Sequence, residues 1–528
     1  MYIPAPNHPL FVFMDATHSE NTKRIAKNTL VLYVRMLFSM LVSLYTSRVI
    51  LNTLGVEDYG IQNVVGGVVG MFSLISSSLS SATGRFLTFE LGRGDKERLK
   101  LVFSTSLVIH VSLAAIIFVA TETLGLWFLN TQLVLPPSRL VAANWVFQTS
   151  VLSFMLGLFS VPFNASIISH ERMSAFAYIG IFDVLARLLI ILFVAYAPWH
   201  FDKLIVYALL LLSLSVTMQG IYLSYCRRHF EECRLRFLFD RSCWKEMSGF
   251  ATWNFIGCTA GLLKDQGVNL LLNLYAGGPV INAARGVALS VNNAVGGFAG
   301  NFMTALNPQI TKSYAADDRD YMFSIVERGS RFSFYILLIL ALPILFETDF
   351  VLTLWLKHYP AHSVSFVRLV LLLTMSDILS NTLITLQNAT GKIRNYQIVV
   401  GGMLLMNFPL SWICLKLGYA PEYVYYVGLG VSFACMMLRL WFLRRMAGLS
   451  MRRFLRNVYL NVWIVSVAAA ILPFALLRTL PLEGWQRFLM LSVVCVVCSI
   501  FSVWRLGCTQ GERRFLVAKA KETMHRFL

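Results

Sequence analysis

Charged side chains interrupt several of the long apolar stretches of this chain, and these residues could do chemistry inside a membrane. Most of them are basic, and arginine is the commonest type. A charge at bilayer depth costs roughly 2.5–3.5 kcal/mol on insertion scales, so it tends to face a bundle interior or a watery cavity. The pattern therefore predicts that the chain encloses a polar, mainly basic site. The charges within the stretches are Arg35, Arg48, Asp183, Arg187, Lys264, Asp265, Arg285, Arg368 and Asp377.

One of these stretches also carries a concentration of amides. Asn282, Arg285, Asn292 and Asn293 fall within a single glycine-rich stretch. Close helix packing accounts for the glycines, since small residues let backbones approach in lipid. It accounts less well for four polar side chains, which need water or partners. We expect these four, with Asn269 of the preceding stretch, to line a central cavity.

Three further charges admit two interpretations. Lys264 and Asp265 lie in the middle of one stretch, and Asp377 lies in another. Adjacent residues are about 100° apart around a helix, so Lys264 and Asp265 need not pair with each other. Lys264 either forms a structural ion pair, for instance with Asp377, or belongs with Asp265 to a substrate-binding or ion-coupling site. Asp183 and Arg187 are four residues apart and are predicted to form an intrahelical salt bridge.

The elements that must position these residues are membrane-spanning helices. The 528 residues are 57% hydrophobic and only 14% charged, with a mean hydropathy of +0.65, whereas soluble proteins carry about 25% charged residues. Each stretch can span ~30 Å of hydrocarbon, which excludes a large soluble protein. We predict fourteen spans, at residues 29–51, 61–83, 101–128, 141–165, 176–196, 204–225, 249–275, 280–305, 330–347, 365–388, 396–417, 424–443, 459–477 and 486–504.

The net charge of +18 bears on how the chain is oriented in the membrane. The basic residues concentrate in alternate loops, as the positive-inside rule requires, so the charge is no evidence for a nucleic-acid partner. We expect both termini to be cytoplasmic. The cysteines suggest neither a metal site nor a redox pair, because Cys495 and Cys498 lie inside an apolar span.

An internal repeat divides the spans into two halves. Residues 51–69 correspond in position and character to residues 272–290. Six spans separate the copies, so both halves have the same orientation, which implies two pseudo-symmetric six-helix lobes with a site between them. The predicted fold is all-α and polytopic. It comprises a cytoplasmic tail (1–28), an N-lobe (29–225), a basic cytoplasmic linker (226–248), a C-lobe (249–443), two additional helices (444–504) and a basic cytoplasmic tail (505–528).

These features together resemble the oligosaccharide flippases, the O-antigen and polysaccharide branch of the multidrug/oligosaccharidyl-lipid/polysaccharide flippase superfamily. The resemblance rests on the paired lobes, the loop LGVEDYG, the polar second span, the segment ALNPQITKSYA and the two added C-terminal spans. Membership implies that the protein flips an undecaprenyl-pyrophosphate-linked oligosaccharide from the cytoplasmic to the periplasmic leaflet of a bacterial inner membrane. It implies no enzyme activity, cofactor or metal. Its partners would be membrane lipids and the glycosyltransferases and polymerase of the same pathway.

The resemblance also suggests roles for particular residues. The related lipid II flippases are similar in having arginines from the first, second and eighth spans in a central cavity. Here Arg35 and Arg48 occupy the first span and Arg285 the eighth, whereas Arg85 lies at the cytoplasmic exit of the second. Arginine suits a diphosphate through its planar fork, and asparagine suits sugar hydroxyls. Arg35, Arg48 and Arg285 are thus expected to contact the pyrophosphate, with the asparagines toward the sugar.

Two other functions remain as alternatives. A MATE-like cation or drug exporter would more typically have twelve spans and an acidic cavity. A membrane-embedded polysaccharide polymerase or ligase would usually have a large outside loop, and the outside loops here are short. The predicted span count and the surplus of arginine favour the flippase.

Overall fold

The structure is a computed structural model that describes residues 9–70, 72–131, 137–197, 201–234, 240–275, 279–479 and 484–514. Within these ranges the regular structure is helical, and no strand occurs. The prediction of an all-α polytopic membrane protein is confirmed. Residues 1–8 of the predicted N-terminal tail and 515–528 of the predicted C-terminal tail lie outside the described residues.

The helices follow one another with short connections. In the first half they are α1 (Pro9–Gly70), α2 (Ser73–Arg93), α3 (Lys96–Ala120), α4 (Leu126–Thr131), α5 (Leu140–Ser169), α6 (Met173–Tyr196) and α7 (Lys203–His229). Two long helices come next, α8 (Arg241–Tyr275) and α9 (Pro279–Ala315). The remainder are α10 (Arg319–Phe346), α11 (Thr348–Leu356), α12 (Ser363–Ile378), α13 (Asn381–Thr390), α14 (Arg394–Leu405), α15 (Asn407–Lys416), α16 (Tyr423–Ala447), α17 (Met451–Phe454), α18 (Asn461–Thr479) and α19 (Gly484–Ser502).

Eleven helical segments of the described chain are long and apolar enough to cross a membrane. Each overlaps one predicted span. The other three predicted spans, residues 61–83, 249–275 and 280–305, fall on the end of α1 with α2, on α8 and on α9. Helices α8 and α9 have 35 and 37 residues, so each is long enough to cross a membrane. Their polar side chains set them apart from the eleven, so the count of fourteen stays a prediction.

Glycines mark two breaks in the first half of the chain. Gly55 interrupts α1 with a φ of +83°, a conformation that glycine adopts without a steric penalty. Gly94 ends α2 in the left-handed conformation, with a φ of +76°. Asp95 then caps α3 by accepting a 3.0 Å hydrogen bond from the Arg98 backbone N–H. This cap allows α2 and α3 to form a tight hairpin.

The described chain divides into two compact units. Unit 1 contains residues up to Thr259 and the segment Thr304–Asp318, and unit 2 contains Ala260–Met303 and the chain from Arg319 onward. Helix α8 therefore begins in unit 1 and ends in unit 2. Helix α9 begins in unit 2, and its last residues belong to unit 1. These two helices are also among the most polar of the chain.

The core of unit 1 is apolar and is closed at one end by an ion-pair cluster. Phe147 of α5 is fully buried and packs with Val65 of α1. At the N-terminal end of α5, the Arg139 guanidinium pairs with both Asp58 and Asp202. Asp202 also caps α7, since its Oδ1 accepts from the Leu204 backbone N–H at 2.9 Å. This cluster connects α1 to the N-terminal ends of α5 and α7.

Unit 2 has its own core and a buried connection to its C-terminal helices. Tyr396, Val431 and Phe442 pack together between α14 and α16. Arg331 of α10 donates through Nη2 to Oε1 of Glu512 at 2.8 Å, and both side chains are buried. This pair ties the segment that follows α19 to α10, because breaking a buried pair leaves an uncompensated charge.

Candidate functional site

Unit 1 contains a cavity of about 510 Å³ with a partly polar lining, among α1, α2, α5, α6 and α7. Its lining is mixed, with apolar walls and a set of polar side chains. Those polar side chains are Gln62, Ser76, Thr149, Ser150, Ser153, Arg187, Tyr207 and Ser215. The volume and the mixture of apolar and polar walls are typical of small-molecule sites.

Helix α5 supplies three of the six hydroxyl groups that line the cavity, and its sequence spacing places them there. Thr149, Ser153 and Gly157 recur at intervals of four, which places them on one face of a helix. The Thr149 hydroxyl is committed to its own helix, donating to the Trp145 carbonyl at 2.9 Å. Gly157 leaves open space, since no atom lies within 4 Å of where its Cβ would be. The face therefore combines polar groups with room for a ligand.

Gln62 gives the cavity an uncommitted acceptor. Its Oε1 is buried and has no hydrogen-bond partner among the described residues. A buried polar atom left unpaired costs about 1–3 kcal/mol. A ligand donor or a water at this point would remove that cost.

Arg187 brings a positive charge to the cavity wall. Its Nε donates to Asp183 Oδ2 at 3.0 Å, so the predicted intrahelical salt bridge is confirmed. The Arg187 side chain remains half-exposed. Its remaining guanidinium donors are therefore accessible at the wall.

Arg35 occupies a different position in unit 1. Its guanidinium carbon lies 4.3 Å from the ring centroid of Phe176, a cation–π geometry. Gly180 makes this approach feasible, because a Cβ there would lie 3.1 Å from Arg35 Cδ. Tyr222 is within electrostatic range of both Arg35 and Asp183. A polar neighbourhood thus links Arg35 to the Asp183–Arg187 pair.

Arg48 lies on the same helix but far from Arg35. Thirteen residues at 1.5 Å per residue separate the two by about 20 Å along α1. Arg48 is exposed, whereas Arg35 is partly buried. A single diphosphate cannot span that distance, so the two arginines would contact a cargo at different depths.

Arg285 is the most deeply buried of the three predicted arginines, with 5% of its surface exposed. Its Nη2 donates to the backbone carbonyl of Asp265 at 2.9 Å. Its Nη1 is buried and has no hydrogen-bond partner among the residues that the structure describes. Arg285 is within electrostatic range of the Tyr425 hydroxyl, which is also buried and unbonded there. Unit 2 thus holds a cation with an open donor.

The predicted asparagines differ in their surroundings. Asn292 follows Arg285 by two helical turns and shares its face, and Asn282 lies about 60° away. The Oδ1 atoms of Asn282 and Asn292 are buried without a partner in the described chain. Asn269 is partly buried, whereas Asn293 is exposed. Asn282, Arg285 and Asn292 thus form the polar face of α9 within unit 2.

Lys264 and Asp377 form an ion pair inside unit 2. Nζ of Lys264 lies 3.8 Å from Oδ2 of Asp377. The Ser432 hydroxyl donates to the other carboxylate oxygen, Oδ1. Asp265 is exposed, and no ion pair involves its carboxylate among the described residues. Lys264 and Asp265, although adjacent, therefore have different surroundings.

Sequence reasoning did not single out the hydroxyl cavity. Serine and threonine are common in membrane helices and usually bond back to their own backbone, as Thr149 does. The signal that could have found it is the run TSVLSFMLG, which places hydroxyls and a glycine four residues apart on one face.

The comparisons with known proteins cover sequence and fold. A family model described as "Polysaccharide biosynthesis protein" matches residues 25–316, more than half of the chain. The uncharacterized membrane protein EpsK of Bacillus subtilis (strain 168) is 25% identical over 164 residues, which are 31% of this chain. That match spans only 32% of EpsK.

Several solved transporters share the fold. An outward-facing multidrug resistance MATE family transporter of the MOP superfamily matches with a TM-score of 0.69 at 14% identity. A MATE in the straight conformation matches with a TM-score of 0.69 at 13% identity. A MOP superfamily transporter from Pyrococcus furiosus Vc1 (DSM3638), described by a binding pocket of reverse polarity, matches with 0.68 at 13%. Each match covers 81% of this chain and 96% of the other. At such low identity the similarity concerns the fold alone.

Proposed function

The chain belongs to the polysaccharide biosynthesis protein family and has the fold of MOP superfamily transporters, and on this premise we propose that it flips a lipid-linked oligosaccharide. The cargo would be a polyprenyl, specifically undecaprenyl, pyrophosphate that carries an O-antigen, capsule or exopolysaccharide repeat unit. It would move from the cytoplasmic to the periplasmic leaflet by alternating access.

The observation that carries the proposal is the environment of Arg285. A guanidinium that is 5% exposed and keeps Nη1 unpaired has bonding capacity that the described protein does not use. Charge-assisted bonds to phosphate are among the strongest hydrogen bonds in proteins, each contributing roughly 1.5–3 kcal/mol. An anionic head group is the ligand that best satisfies such a donor.

The sugar portion has suitable partners in both units. Unit 1 offers the hydroxyl-lined cavity with Gln62, and unit 2 offers the unpaired amide oxygens of Asn282 and Asn292. Sugar hydroxyls both donate and accept, so neutral amide and hydroxyl side chains match them well. The polyprenyl tail could remain in the lipid, which lowers the cost of transport.

The distance between Arg35 and Arg48 supports a stepwise path. Because about 20 Å of helix separates them, one diphosphate would meet them in succession as it crosses the membrane. We infer that Arg35 and Arg48 act at different stages, with Arg285 holding the head group in the membrane interior.

A cation exporter is the second candidate, and its fold is equally consistent with the solved MATE structures. The exposed carboxylate of Asp265 and the Lys264–Asp377 pair are the features that favour it. The surplus of arginine over acid at the described polar sites favours the flippase. Uptake of a cationic dye into inverted vesicles would distinguish the two functions.

The cellular setting follows from the proposed cargo. We place the protein in a bacterial inner membrane with both termini cytoplasmic, in agreement with the distribution of basic residues. Glycosyltransferases would supply the lipid-linked unit on the cytoplasmic side, and a polymerase would consume it on the other. These partners are proposals that rest on the same cargo.

The test uses purified protein in liposomes that contain a polyprenyl diphosphate bearing a fluorescent disaccharide. Flipping is scored by the access of a membrane-impermeant quencher to the label. We expect Arg285→Ala to reduce the flipping rate by at least about tenfold. Arg285→Lys should restore only part of the rate, because the lysine ammonium cannot bind phosphate bidentately as the planar guanidinium does. An Arg285→Ala rate equal to wild type would refute the role of Arg285, and no flipping by wild type would refute the function.

A further inference from the structure

A second candidate site lies in unit 2, where α16 ends and α17 begins. It is an open groove of about 570 Å³, lined by Arg444, Met451, Arg452, Leu455, Arg456 and Leu460. Three arginines and three apolar side chains thus share one small surface. None of these residues belongs to the cavity of unit 1 or to the surroundings of Arg285.

The three arginines of the groove are uncompensated. Arg444, Arg452 and Arg456 are exposed, and no hydrogen bond or ion pair involves their guanidinium groups within the described chain. The neighbouring Arg453, by contrast, is committed, because its Nε lies 2.7 Å from Oε1 of the buried Glu327. The groove therefore carries three positive charges and no acidic lining residue.

The backbone gives the groove its shape. Gly448 ends α16 with a φ of +79°, and the Ser450 hydroxyl caps α17 by accepting from the Arg453 backbone N–H at 3.4 Å. The chain then continues through a π-helical segment, Leu455–Leu460, before α18. The wider π turn spaces residues differently from an α-helix and is often found at functional sites. It carries three of the six lining residues.

The groove combines basic and apolar lining residues. Leu455 is partly buried, and Leu460 is 51% exposed at the start of the spanning helix α18. Trp463 is 66% exposed on the same helix. Nearby, Arg445 stacks on the exposed ring of Trp441 at 4.1 Å. Aromatic residues of this kind are enriched at membrane–water interfaces, so arginines beside them would meet lipid head groups.

We propose that this groove binds an anionic phospholipid, with the phosphate between Arg444, Arg452 and Arg456. The acyl chains would lie along Leu455 and Leu460 toward the hydrocarbon. Basic pockets beside transmembrane helices bind anionic head groups, and planar guanidinium groups bind phosphate oxygens bidentately. A soluble anion would match the arginines but would leave the apolar wall uncovered. The lipid satisfies both parts of the groove.

The test measures lipid binding to the full chain in detergent by native mass spectrometry. Dioleoyl phosphatidylglycerol is titrated against wild type and against a triple variant, Arg444→Gln, Arg452→Gln and Arg456→Gln. The charge-matched control is Arg227→Gln, Arg228→Gln and Arg241→Gln, three exposed arginines of unit 1 that do not line the groove. We expect the groove variant to bind about tenfold more weakly. We expect the control variant to bind as wild type does.

Two further measurements distinguish an anionic lipid from a soluble anion as the ligand of the groove. Dioleoyl phosphatidylcholine should bind wild type and the groove variant equally, since it carries no net charge. Inorganic pyrophosphate should not displace phosphatidylglycerol from wild type, because it has no apolar part. If the control and groove variants lost phosphatidylglycerol binding to the same extent, the loss would be due to net charge alone. That result would overturn the proposal. Full displacement by pyrophosphate would identify a soluble-anion site and would also overturn it.

Folding of the variants is checked independently. The thermal unfolding midpoint of each variant is measured, and the single change Arg456→Gln provides a milder perturbation of the same groove. A correctly folded Arg456→Gln protein with reduced phosphatidylglycerol binding supports the site. Binding equal to wild type in both folded groove variants rejects it.

Discussion

The carboxylate of Glu171 accepts a 2.6 Å hydrogen bond from Nε2 of Gln309, which lies 138 residues further along the chain. Glu171 follows α5 and is 5% exposed. Its other oxygen, Oε1, lies 2.5 Å from Nζ of Lys312, and Arg24 Nη1 is 3.6 Å from Oε2. One buried carboxylate of unit 1 therefore connects the end of α5 to α1 and to the end of α9.

The first prediction concerns the stability supplied by this carboxylate. Glu171→Gln keeps an acceptor for Gln309 but removes the charge that pairs with Lys312. Because Lys312 is 24% exposed, we expect a loss of about 1–2 kcal/mol in the free energy of unfolding rather than the full value for a buried pair. Chemical denaturation in detergent, with the double-mutant cycle Glu171→Gln and Lys312→Met, measures it.

The control for this prediction is an exposed pair of the same unit. Glu97 and Lys100 lie 2.7 Å apart, with Glu97 largely in solvent. Glu97→Gln should have little effect, since exposed pairs contribute little. Additive effects of the two changes in the Glu171 cycle would contradict a direct coupling.

A second prediction concerns the close approach of α2 to the end of α9. A Cβ on Gly92 would lie 2.8 Å from both the Cα and the carbonyl oxygen of Lys312, which are backbone atoms that cannot move aside cheaply. We expect Gly92→Ala to lower the free energy of unfolding by about 1–3 kcal/mol. The matched control is Gly84→Ala on the same helix, where the added methyl would meet nothing within 4 Å. An unfolding midpoint unchanged in Gly92→Ala would mean that the two helices are not held this closely.

The third prediction tests the cavity of unit 1. Gly157→Leu projects a side chain into open space at the cavity wall and replaces glycine by a better helix former, so the protein should fold normally. The cavity should nevertheless lose room for a ligand. We expect flipping of the labelled lipid to fall by at least about tenfold, equivalent to about 1.4 kcal/mol. Gly220→Leu is the control, because Gly220 is exposed on α7 and also has open space. Equal rates for both variants would exclude the cavity from the transport path.

The described fold followed from the sequence wherever the signal was local. Hydrocarbon thickness requires about 20 apolar residues per helix, so eleven spans were recognisable from composition. Asp183 and Arg187 were predictable as a pair because they lie one turn apart. Glu171 was not predictable, since its partners come from helices more than a hundred residues away and no periodicity marks them.

The polar sites were predictable in type but not in arrangement. Arginines and asparagines in a span must satisfy their polar groups, so a polar interior could be expected from Arg285 and Asn292. Which donors stay open depends on tertiary contacts, such as the Asp265 carbonyl that takes Nη2 of Arg285 and leaves Nη1 unpaired. The hydroxyl cavity depends on how α5 and α7 pack, which composition does not encode.

The fourth prediction concerns the Lys264–Asp377 pair. The Lys264 side chain is 11% exposed, whereas that of Asp377 is 45% exposed. Asp377→Asn leaves the more buried charge without its partner, so it should destabilise the protein more than Lys264→Met does, by about 1–3 kcal/mol. The double variant leaves no charge of the pair and should be more stable than Asp377→Asn alone. Unfolding midpoints of the three variants in detergent test this order. The reverse order would show that an unpaired Lys264 is not the larger cost, and unchanged midpoints in both single variants would show that the pair does not stabilise unit 2.

The same variants separate a structural pair from ion coupling. Asp265 has no ion-pair partner among the described residues, so we assign any proton-carrying role to Asp265 rather than to Asp377. If that role exists, wild-type flipping in proteoliposomes should accelerate under an imposed pH gradient, and Asp265→Asn should abolish the acceleration without lowering the unfolding midpoint. The Lys264→Met and Asp377→Asn double variant should retain the acceleration, because it leaves Asp265 intact. Equal wild-type rates with and without the gradient would rule out proton coupling through Asp265.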